Sequence, residues 1–161
     1  MQLGRTAAKC DIRIMFTTKG PAMTATETDG HTLPEEARIV RDYLEASMVP
    51  DPERAATYMA DEVTITFTGG RVYHHPSGPA GFNAGRYAWV KKDMRQFDVA
   101  QGDEGTVVYS TGYLYGAWPD GTPFEGNRYV DRFVVRDGRI VKMDVWNDSA
   151  ERILTARGIE A

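Results

Sequence analysis

The segment formed by residues 118–148 constrains the fold of this chain more than any other part of its sequence. It holds two stretches rich in β-branched and aromatic residues, joined by Asp137-Gly138, a dipeptide typical of hairpin turns. Side chains alternate between two faces along a strand, and one face of the first stretch carries three arginines. The opposite face, with Phe133 and Val135, is therefore predicted to point inward.

Polar residues share this inward face, because Glu125, Asn127, Tyr129 and Asp131 follow the same alternation. Burying a carboxylate is costly unless it is paired or neutralised, so a solid core would not contain these groups. The strand therefore predicts a lined cavity that serves as a binding or reaction chamber.

Two further strands are predicted to contribute to this cavity. On the last strand, Asn147 shares the inward face with Met143 and Val145. Four residues of the strand at 106–118 alternate on one predicted inner face, beside the strand that carries Asp131: Tyr109, Thr111, Tyr113 and Tyr115. Phenol rings combine apolar area with a polar tip, which suits a flat, partly oxygenated ligand. The alternative is that this face packs on the first helix.

Length and charge exclude several classes of protein and partner. At 161 residues the chain is long enough for one domain with its own core. Its net charge of −4 argues against binding to nucleic acid or to an anionic membrane, because both need a basic surface. The single cysteine cannot form an internal disulfide, so we expect a reducing, cytoplasmic location.

The sequence contains no motif for a metal or an organic cofactor, such as a glycine-rich phosphate loop. Of the three histidines, His74 and His75 are adjacent on a loop, where their side chains diverge and make a poor metal pair. Any chemistry is therefore expected to be cofactor-free acid–base chemistry. His74 or His75 would be a mobile general base if it folded over the cavity mouth.

The beginning of the chain has neither the apolar run of a signal peptide nor that of a membrane span. We expect residues 1–32 to be a flexible N-terminal extension and residues 33–158 to form a single domain. A transit peptide is the alternative reading of this basic, acid-poor segment.

Helical periodicity predicts a first helix that ends near Met48, with Tyr43 on its inward stripe. A short helix from Pro52 and a third helix over residues 79–96 are predicted next. The third helix would lie between the sheet and the cavity mouth and would carry Arg86 and Trp89.

A strand at 63–67 precedes the third helix, and four strands with a closing helix at 149–157 follow it. This order predicts an α+β fold, in which a strongly curved, cone-shaped antiparallel sheet wraps around the N-terminal helices.

The chain resembles the nuclear transport factor 2-like superfamily, the fold of ketosteroid isomerase, scytalone dehydratase, limonene epoxide hydrolase and the SnoaL-like polyketide cyclases. The resemblance covers about residues 33–157. It is carried by NRYVDRFVVRDGRI, by the following VWND and by the closing helix. The same segment also resembles the phenazine-biosynthesis A/B proteins.

This resemblance implies roles for two residues. Asp131 aligns with the aspartic acid that completes the oxyanion hole of ketosteroid isomerases, and Tyr43 aligns with the tyrosine of the same pair. Together they would hold an enolate or carbonyl oxygen. The alternative is that an arginine such as Arg86 or Arg128 pairs with Asp131 as a structural anchor.

The active sites of three relatives do not transfer whole. The proton-shuttling aspartate of the isomerase falls at or beside Phe67, and the Arg-x-Asp of the epoxide hydrolases falls at Thr111-Gly112-Tyr113. The acidic residue of the phenazine proteins falls at Val145. Fold and function are therefore separate questions for this chain.

Two functions remain open. The first is a cofactor-independent lyase, isomerase or cyclase that acts on a small cyclic or aromatic oxygenated metabolite. In it Asp131 would move a proton, Tyr43 with Asn127 or Tyr129 would orient an oxygen, and the ligand would also meet several other residues: Tyr109, Tyr113, Glu125, Arg86, Trp89, Asn147 and Phe67. The second is a small-molecule-binding or assembly domain without turnover.

We also expect a homodimer through the outer face of the sheet, which is the usual arrangement in the superfamily. The predicted outer face is apolar and needs a cover. Its residues are Trp118, Val130, Val134 and Trp146, together with Val108 and Leu114.

Overall fold

The structure, a computed structural model, describes residues 33–49 and 51–159. The helices within them are α1 (Glu35–Ser47), α2 (Pro52–Ala56), α3 (Ser77–Arg86) and α4 (Ser149–Ala156). The strands are β1 (Met59–Phe67), β2 (Arg71–Tyr73), β3 (Trp89–Gly102), β4 (Gly105–Ala117), β5 (Pro123–Arg136) and β6 (Arg139–Asn147). The predicted extension at residues 1–32 lies outside the described residues.

The strands form one sheet in the order β2-β1-β6-β5-β4-β3. Strands β3 to β6 form the antiparallel meander that the hairpin turns predict. The register shifts once in each of the β3–β4, β4–β5 and β5–β6 pairings, with the extra residue in β3, β5 and β6 respectively, and such bulges add twist and curvature. The predicted α+β fold is confirmed, with one addition: β1 pairs with β6 in parallel.

Helix α1 packs its apolar stripe on the inner face of the sheet. Val40, Tyr43 and Leu44 are buried, and the Tyr43 ring meets the Phe133 ring edge-on with centroids 5.8 Å apart. Helix α1 and the sheet thereby form the core and leave a cavity at the C-terminal end of α1.

The third helix is shorter than predicted, and the interpretation of residues 79–96 as one helix was wrong. Helix α3 ends at Arg86, and β3 then pairs with β4 from Trp89 to Gly102. The physical reason is the length of β4, whose backbone groups on this side need a partner. A helix over 79–96 would leave much of that edge open.

The tyrosines of β4 lie on the outer face of the sheet, so their predicted place in the cavity was wrong. The pairing of β4 with β5 shows this, because Ser110 lies opposite the buried Asp131 and Gly112 lies opposite the buried Tyr129. The tyrosines alternate with Ser110 and Gly112 and therefore face outward. A shift of one residue exchanges the two faces of a strand. The outward side chains are 37–42% exposed: Tyr109, Tyr113 and Tyr115.

The same pairing shows that part of the predicted outer apolar face was wrong. Val108 and Leu114 are buried, at 0% and 5% exposure. Trp118 lies beyond the end of β4 and stacks on Phe124, with centroids 4.4 Å apart. Trp146 does point outward, with 53% exposure, so the outer face carries aromatic side chains different from most of those predicted.

In the part of the chain that the structure describes, no helix has both the length and the apolar character needed to cross a membrane.

Candidate functional site

A cavity of about 120 Å³ opens between α1, α2, α3 and the inner face of the sheet. Its apolar lining includes Phe67, Leu114, Met143 and Val145. Polar groups reach it from different elements: Tyr43, Asp51, Asn83, Tyr87, Lys92 and Asn147. An enclosed apolar cavity of about 150 Å³ holds benzene, so this volume suits a ligand built around one ring.

A buried ion pair lies at the wall of this cavity. Asp131 on β5 is 0% exposed, and its Oδ2 contacts the Nζ atom of Lys92 on β3. Lys92 lines the cavity and keeps 16% of its side chain exposed. Among the described residues, the second carboxyl oxygen, Asp131 Oδ1, has no hydrogen-bond partner. Lys92 therefore connects a buried carboxyl group to the cavity.

Burial and Lys92 have opposite effects on the protonation of Asp131. Burial raises the pKa of Asp131 above its usual range, and the charge and hydrogen bond of Lys92 oppose that rise. A carboxyl group with a raised pKa accepts a proton more readily than an ordinary aspartate. Asp131 is therefore a proton acceptor in contact with the amine of Lys92.

Neither arginine that the sequence suggested is the partner of Asp131. The Nε atom of Arg128 donates to Asp148 Oδ2 over 2.7 Å, and Arg86 lies over the Phe82 ring at 4.5 Å. Asp131 is paired with a cation, as the alternative interpretation of its role expected, but that cation is Lys92 at the cavity surface.

Tyr129 lies beneath the ammonium group of Lys92. The Nζ atom is 4.1 Å from the centre of the Tyr129 ring, a distance at which the ring attracts a cation. The Tyr129 hydroxyl and the Ser110 hydroxyl form a hydrogen bond of 3.0 Å. Burial raises the pKa of Tyr129 to about 12, so its hydroxyl stays neutral. Tyr129 positions Lys92 and does not line the cavity.

Tyr43 brings a hydroxyl group from α1 into the cavity. Burial, followed by the nearby charge of Asp131, raises the pKa of Tyr43 well above its ordinary value and keeps its proton in place. The hydroxyl donates to the Met143 sulfur over 3.3 Å. A thioether is a weak acceptor, so an oxygen of a ligand would compete well for this proton.

A hydrogen-bonded chain forms the wall at the other end of the cavity. The Tyr87 hydroxyl donates to Ser149 Oγ over 2.7 Å, and Asn127 Nδ2 donates to the same oxygen over 3.3 Å. Asn147 Oδ1 accepts from the Ser149 backbone N–H over 3.1 Å. Tyr87 and Asn147 line the cavity, whereas Asn127 lies behind this wall.

The structure divides the predicted ligand-binding residues into three groups. Tyr43, Phe67 and Asn147 line the cavity, and Asp131 with Tyr129 lies directly behind Lys92. A second group lines a separate groove: Arg86, Glu125 and Asn127. The third group is exposed on or beside the outer sheet face and was wrongly placed in the cavity: Tyr109, Tyr113 and Trp89.

The two loop histidines are held away from the cavity. The Nδ1 atom of His74 is 2.9 Å from the Val63 carbonyl oxygen, and that of His75 is 2.9 Å from Ser77 Oγ. Across residues 33–49 and 51–159, no three His, Cys, Asp or Glu side chains are grouped so that they could hold a metal ion.

Lys92 is a cavity-lining residue that the sequence did not indicate. In the segment WVKKDMRQFDVAQG, apolar and polar residues alternate only weakly, and the charged residues make it resemble a solvent-exposed helix. One signal was available. The long strand at 105–117 follows the turn Gly102-Asp103-Glu104-Gly105, and a turn of this composition implies a strand of similar length before it.

Known proteins provide an independent comparison. The family model of the SnoaL-like domain matches residues 40–143, more than half of the chain. No curated protein matches the chain.

Solved structures with the same fold include a nuclear transport factor 2-like protein of unknown function from Burkholderia pseudomallei. It is 19% identical, with a TM-score of 0.63 over 80% of this chain and 100% of that one. TerC, co-crystallised with polyporic acid, is 18% identical, with a TM-score of 0.62 over 80% of this chain and 100% of that one.

A third solved structure is that of a candidate polyketide cyclase from Xanthomonas campestris pv. campestris. It is 22% identical, with a TM-score of 0.58 over 74% of this chain and 94% of that one. The family match and these folds agree with the resemblance that the sequence shows. The chain belongs to the SnoaL-like domain family and has the nuclear transport factor 2-like fold.

Proposed function

We propose that this protein is a cofactor-independent acid–base enzyme, a lyase, isomerase or cyclase, that acts on a small cyclic oxygenated metabolite in the cavity. The observation that carries this proposal is the cavity-lining amine of Lys92 in contact with the buried carboxyl of Asp131. Family membership supports it, since relatives of this fold include a candidate polyketide cyclase.

The pair can transfer a proton without a cofactor. Passage of one proton from the Lys92 ammonium to Asp131 leaves a neutral amine at the cavity and a carboxylic acid behind it. The amine then removes a proton from the carbon next to a substrate carbonyl, and the resulting ammonium returns a proton to another carbon. The low polarity around Asp131 favours the uncharged form of the pair.

The oxygen that gains charge in such a step needs a hydrogen-bond donor. Tyr43 is the best-placed group, because its proton is retained and its present acceptor is the Met143 sulfur. Asp131 lies behind the cavity wall, so in this proposal it sets the protonation of Lys92 and does not touch the substrate.

The second candidate function is ligand binding without turnover. One observation favours it: Asp131 is fully buried behind Lys92. The family resemblance also favours it, because it implies that the proton-shuttling aspartate of ketosteroid isomerases falls at or beside Phe67. In that case the ion pair would be a structural anchor for β3 and β5.

Exchange of carbon-bound protons separates the two functions. We expect the wild-type protein to accelerate deuterium exchange next to the carbonyl of cyclohexanone, a one-ring ketone, in D₂O, followed by NMR. The double variant Lys92→Met/Asp131→Asn should lose about 10² or more of that acceleration, because it lacks the proton carrier but contains no unpaired buried charge. Lys142→Met is the matched control, since Lys142 does not line the cavity.

Binding of 4-nitrophenol completes the test, because its absorbance distinguishes the phenol from the phenolate. Binding to the wild type without any exchange of cyclohexanone would favour the ligand-binding function. Equal exchange by the wild type and the double variant would contradict a role for Lys92.

A further inference from the structure

An open groove of about 1130 Å³ lies on the other side of the wall from the cavity. It is bounded by α3, by the turn between β4 and β5, and by α4. None of its described lining residues also lines the cavity. The groove is therefore a separate place on the molecule, and its function does not depend on the proposed chemistry of Lys92.

The apolar part of the groove is an ordered stack of aromatic rings. Trp118 and Phe124 stack with centroids 4.4 Å apart and planes 30° from parallel, and Tyr87 supports Trp118 from 5.5 Å. The turn that carries Trp118 is closed by backbone hydrogen bonds, from Trp118 N–H to the Thr122 carbonyl and from Gly121 N–H to the Trp118 carbonyl. Both are 2.9 Å long. The rings are thus held in place before any ligand arrives.

Three arginines, Arg86, Arg152 and Arg157, line the same groove. None of them forms a salt bridge with a carboxylate among the described residues. Arg86 lies over the Phe82 ring at 4.5 Å. Arg152 donates to the backbone carbonyl of Gly126 at 3.4 Å, and its charge contributes to the lowered pKa of Asp148. Their guanidinium groups therefore remain available to a carboxylate.

The groove also contains a buried polar atom without a partner. Asn127 is 1% exposed and lines the groove, and its Oδ1 has no hydrogen-bond donor among the described residues. Its Nδ2 is already bonded to Ser149 Oγ, which fixes the orientation of the amide and leaves Oδ1 as an acceptor. Burying such an acceptor unpaired is costly, so this position calls for a hydroxyl or amino group.

Taken together, these groups match the chemistry of one class of ligand. We propose that the groove between α3 and α4 is a binding site for a flat aromatic carboxylate that also carries a hydroxyl group. The ring would stack on Trp118 and Phe124, the carboxylate would bind Arg86 and Arg152, and the hydroxyl would donate to Asn127. The groove's own acids, Asp120 and Glu125, disfavour ligands with several negative charges.

Calorimetric titration with three related compounds tests this site. The probe is 6-hydroxy-2-naphthoate, which carries all three recognised features. We expect 2-naphthol, which lacks the carboxylate, to bind at least about 10-fold more weakly than the probe. The affinity of 2-naphthoate, which lacks the hydroxyl, should be several-fold lower than that of the probe.

Variants locate the binding in the groove. Arg86→Gln/Arg152→Gln and, separately, Trp118→Leu should each weaken binding of the probe by about 10-fold or more. The matched controls Arg38→Gln and Trp146→Leu alter exposed residues elsewhere and should leave the affinity unchanged. Circular dichroism of each variant verifies that it is folded.

Three outcomes would overturn the proposal: no binding of the probe at millimolar concentration, equal affinity in the arginine double variant and the wild type, or loss of binding in the cavity variant Lys92→Met/Asp131→Asn. The last result would place the ligand in the cavity. Because the groove variants leave the cavity residues intact, failure here is distinct from failure of the proton-transfer function.

Discussion

At the scale of single residues, the two members of the ion pair, Lys92 and Asp131, differ in how deeply they are buried. Lys92 keeps 16% of its side chain exposed and lies over the Tyr129 ring, whereas the Asp131 side chain is 0% exposed. We therefore expect Lys92→Met to destabilise the protein by roughly 3–5 kcal/mol, because it leaves a buried carboxylate without a partner. Asp131→Asn should cost less, since the freed ammonium can turn toward the cavity.

The double variant Lys92→Met/Asp131→Asn should recover much of the loss caused by Lys92→Met. Chemical denaturation of the wild type, both single variants and the double variant measures this coupling as a thermodynamic cycle. Additive effects of the two substitutions would mean that the two groups do not interact in solution.

The raised pKa of Asp131 leads to a prediction about pH. In Lys92→Met, burial raises the pKa of Asp131 with no cation to oppose it, so the folded state holds its proton more tightly than the unfolded state. The stability from this protonation is fully present below the unfolded value near 3.8 and is lost as pH rises through the folded pKa. The melting temperature of Lys92→Met should therefore fall further below that of the double variant as pH increases.

Melting curves of the two variants at matched pH values above and below 4 provide the measurement. A gap between them that stays constant with pH would show that Asp131 does not titrate differently in the folded protein.

Burial could be predicted from the sequence where it depends on the pattern of one strand. The alternation on β5 predicts the burial of Asp131, Tyr129 and Asn127, and all three are at most 4% exposed. Burial could not be predicted where it depends on the register between two strands. Whether Tyr113 faces in or out depends on its partner Arg128 across the sheet, and no property of β4 alone specifies that pairing.

At the scale of elements, β3 and β4 approach each other most closely at glycines. A Cβ atom built on Gly112 would overlap the Asp93 carbonyl oxygen and lie 3.1 Å from the Arg95 backbone nitrogen. This crowding lies next to the bulge in β3, where the register shifts between Met94 and Gln96. Glycine at 112 is thus what allows the strand that carries Lys92 to follow β4.

We expect Gly112→Ala to destabilise the protein by about 1–3 kcal/mol, because backbone atoms must move to admit the methyl group. Gly81→Ala is the matched control. Gly81 lies within α3, where an added Cβ meets nothing within 4 Å, so alanine should stabilise the helix by about 0.5–1 kcal/mol. Urea denaturation gives both values, and a neutral Gly112→Ala would contradict the close approach.

Elements with strong local signals were predicted well. The closing helix at 149–157 and the hairpins of β4, β5 and β6 lie where the turns place them. Strand β3 was predicted only over residues 97–100. The charged residues before Phe97 are typical of helices, and their strand structure comes from pairing with β4. The short edge strand β2 follows Gly69-Gly70 and has too few residues to show a pattern.

At the scale of the whole molecule, the outer sheet face carries more aromatic surface than a monomer needs. Tyr109, Tyr113, Tyr115 and Trp146 are each 37–53% exposed on this face. Removing apolar area from water contributes about 25 cal/mol per Å². We therefore propose that two copies of the chain associate through this face.

Light scattering at micromolar concentration should give the mass of two chains. Tyr113→Asp/Trp146→Asp should give the mass of one chain, because charges would be buried at the contact. Leu154→Asp, a change at a 40% exposed apolar residue on α4, serves as the control and should leave the dimer intact. A wild-type mass of one chain would contradict the proposed dimer.

The parallel pairing of β1 with β6 determines when the molecule can be completed during synthesis. Strand β6 is the last strand to leave the ribosome, yet it lies between β1 and β5. Until it emerges, the backbone edge of β1 and its apolar residues Val63 and Ile65 have no sheet partner on that side. The nascent chain therefore cannot complete its sheet before β6 is synthesised. If the ribosome stalls after β5, the released product has two unpaired strand edges, those of β1 and β5, and is prone to aggregate.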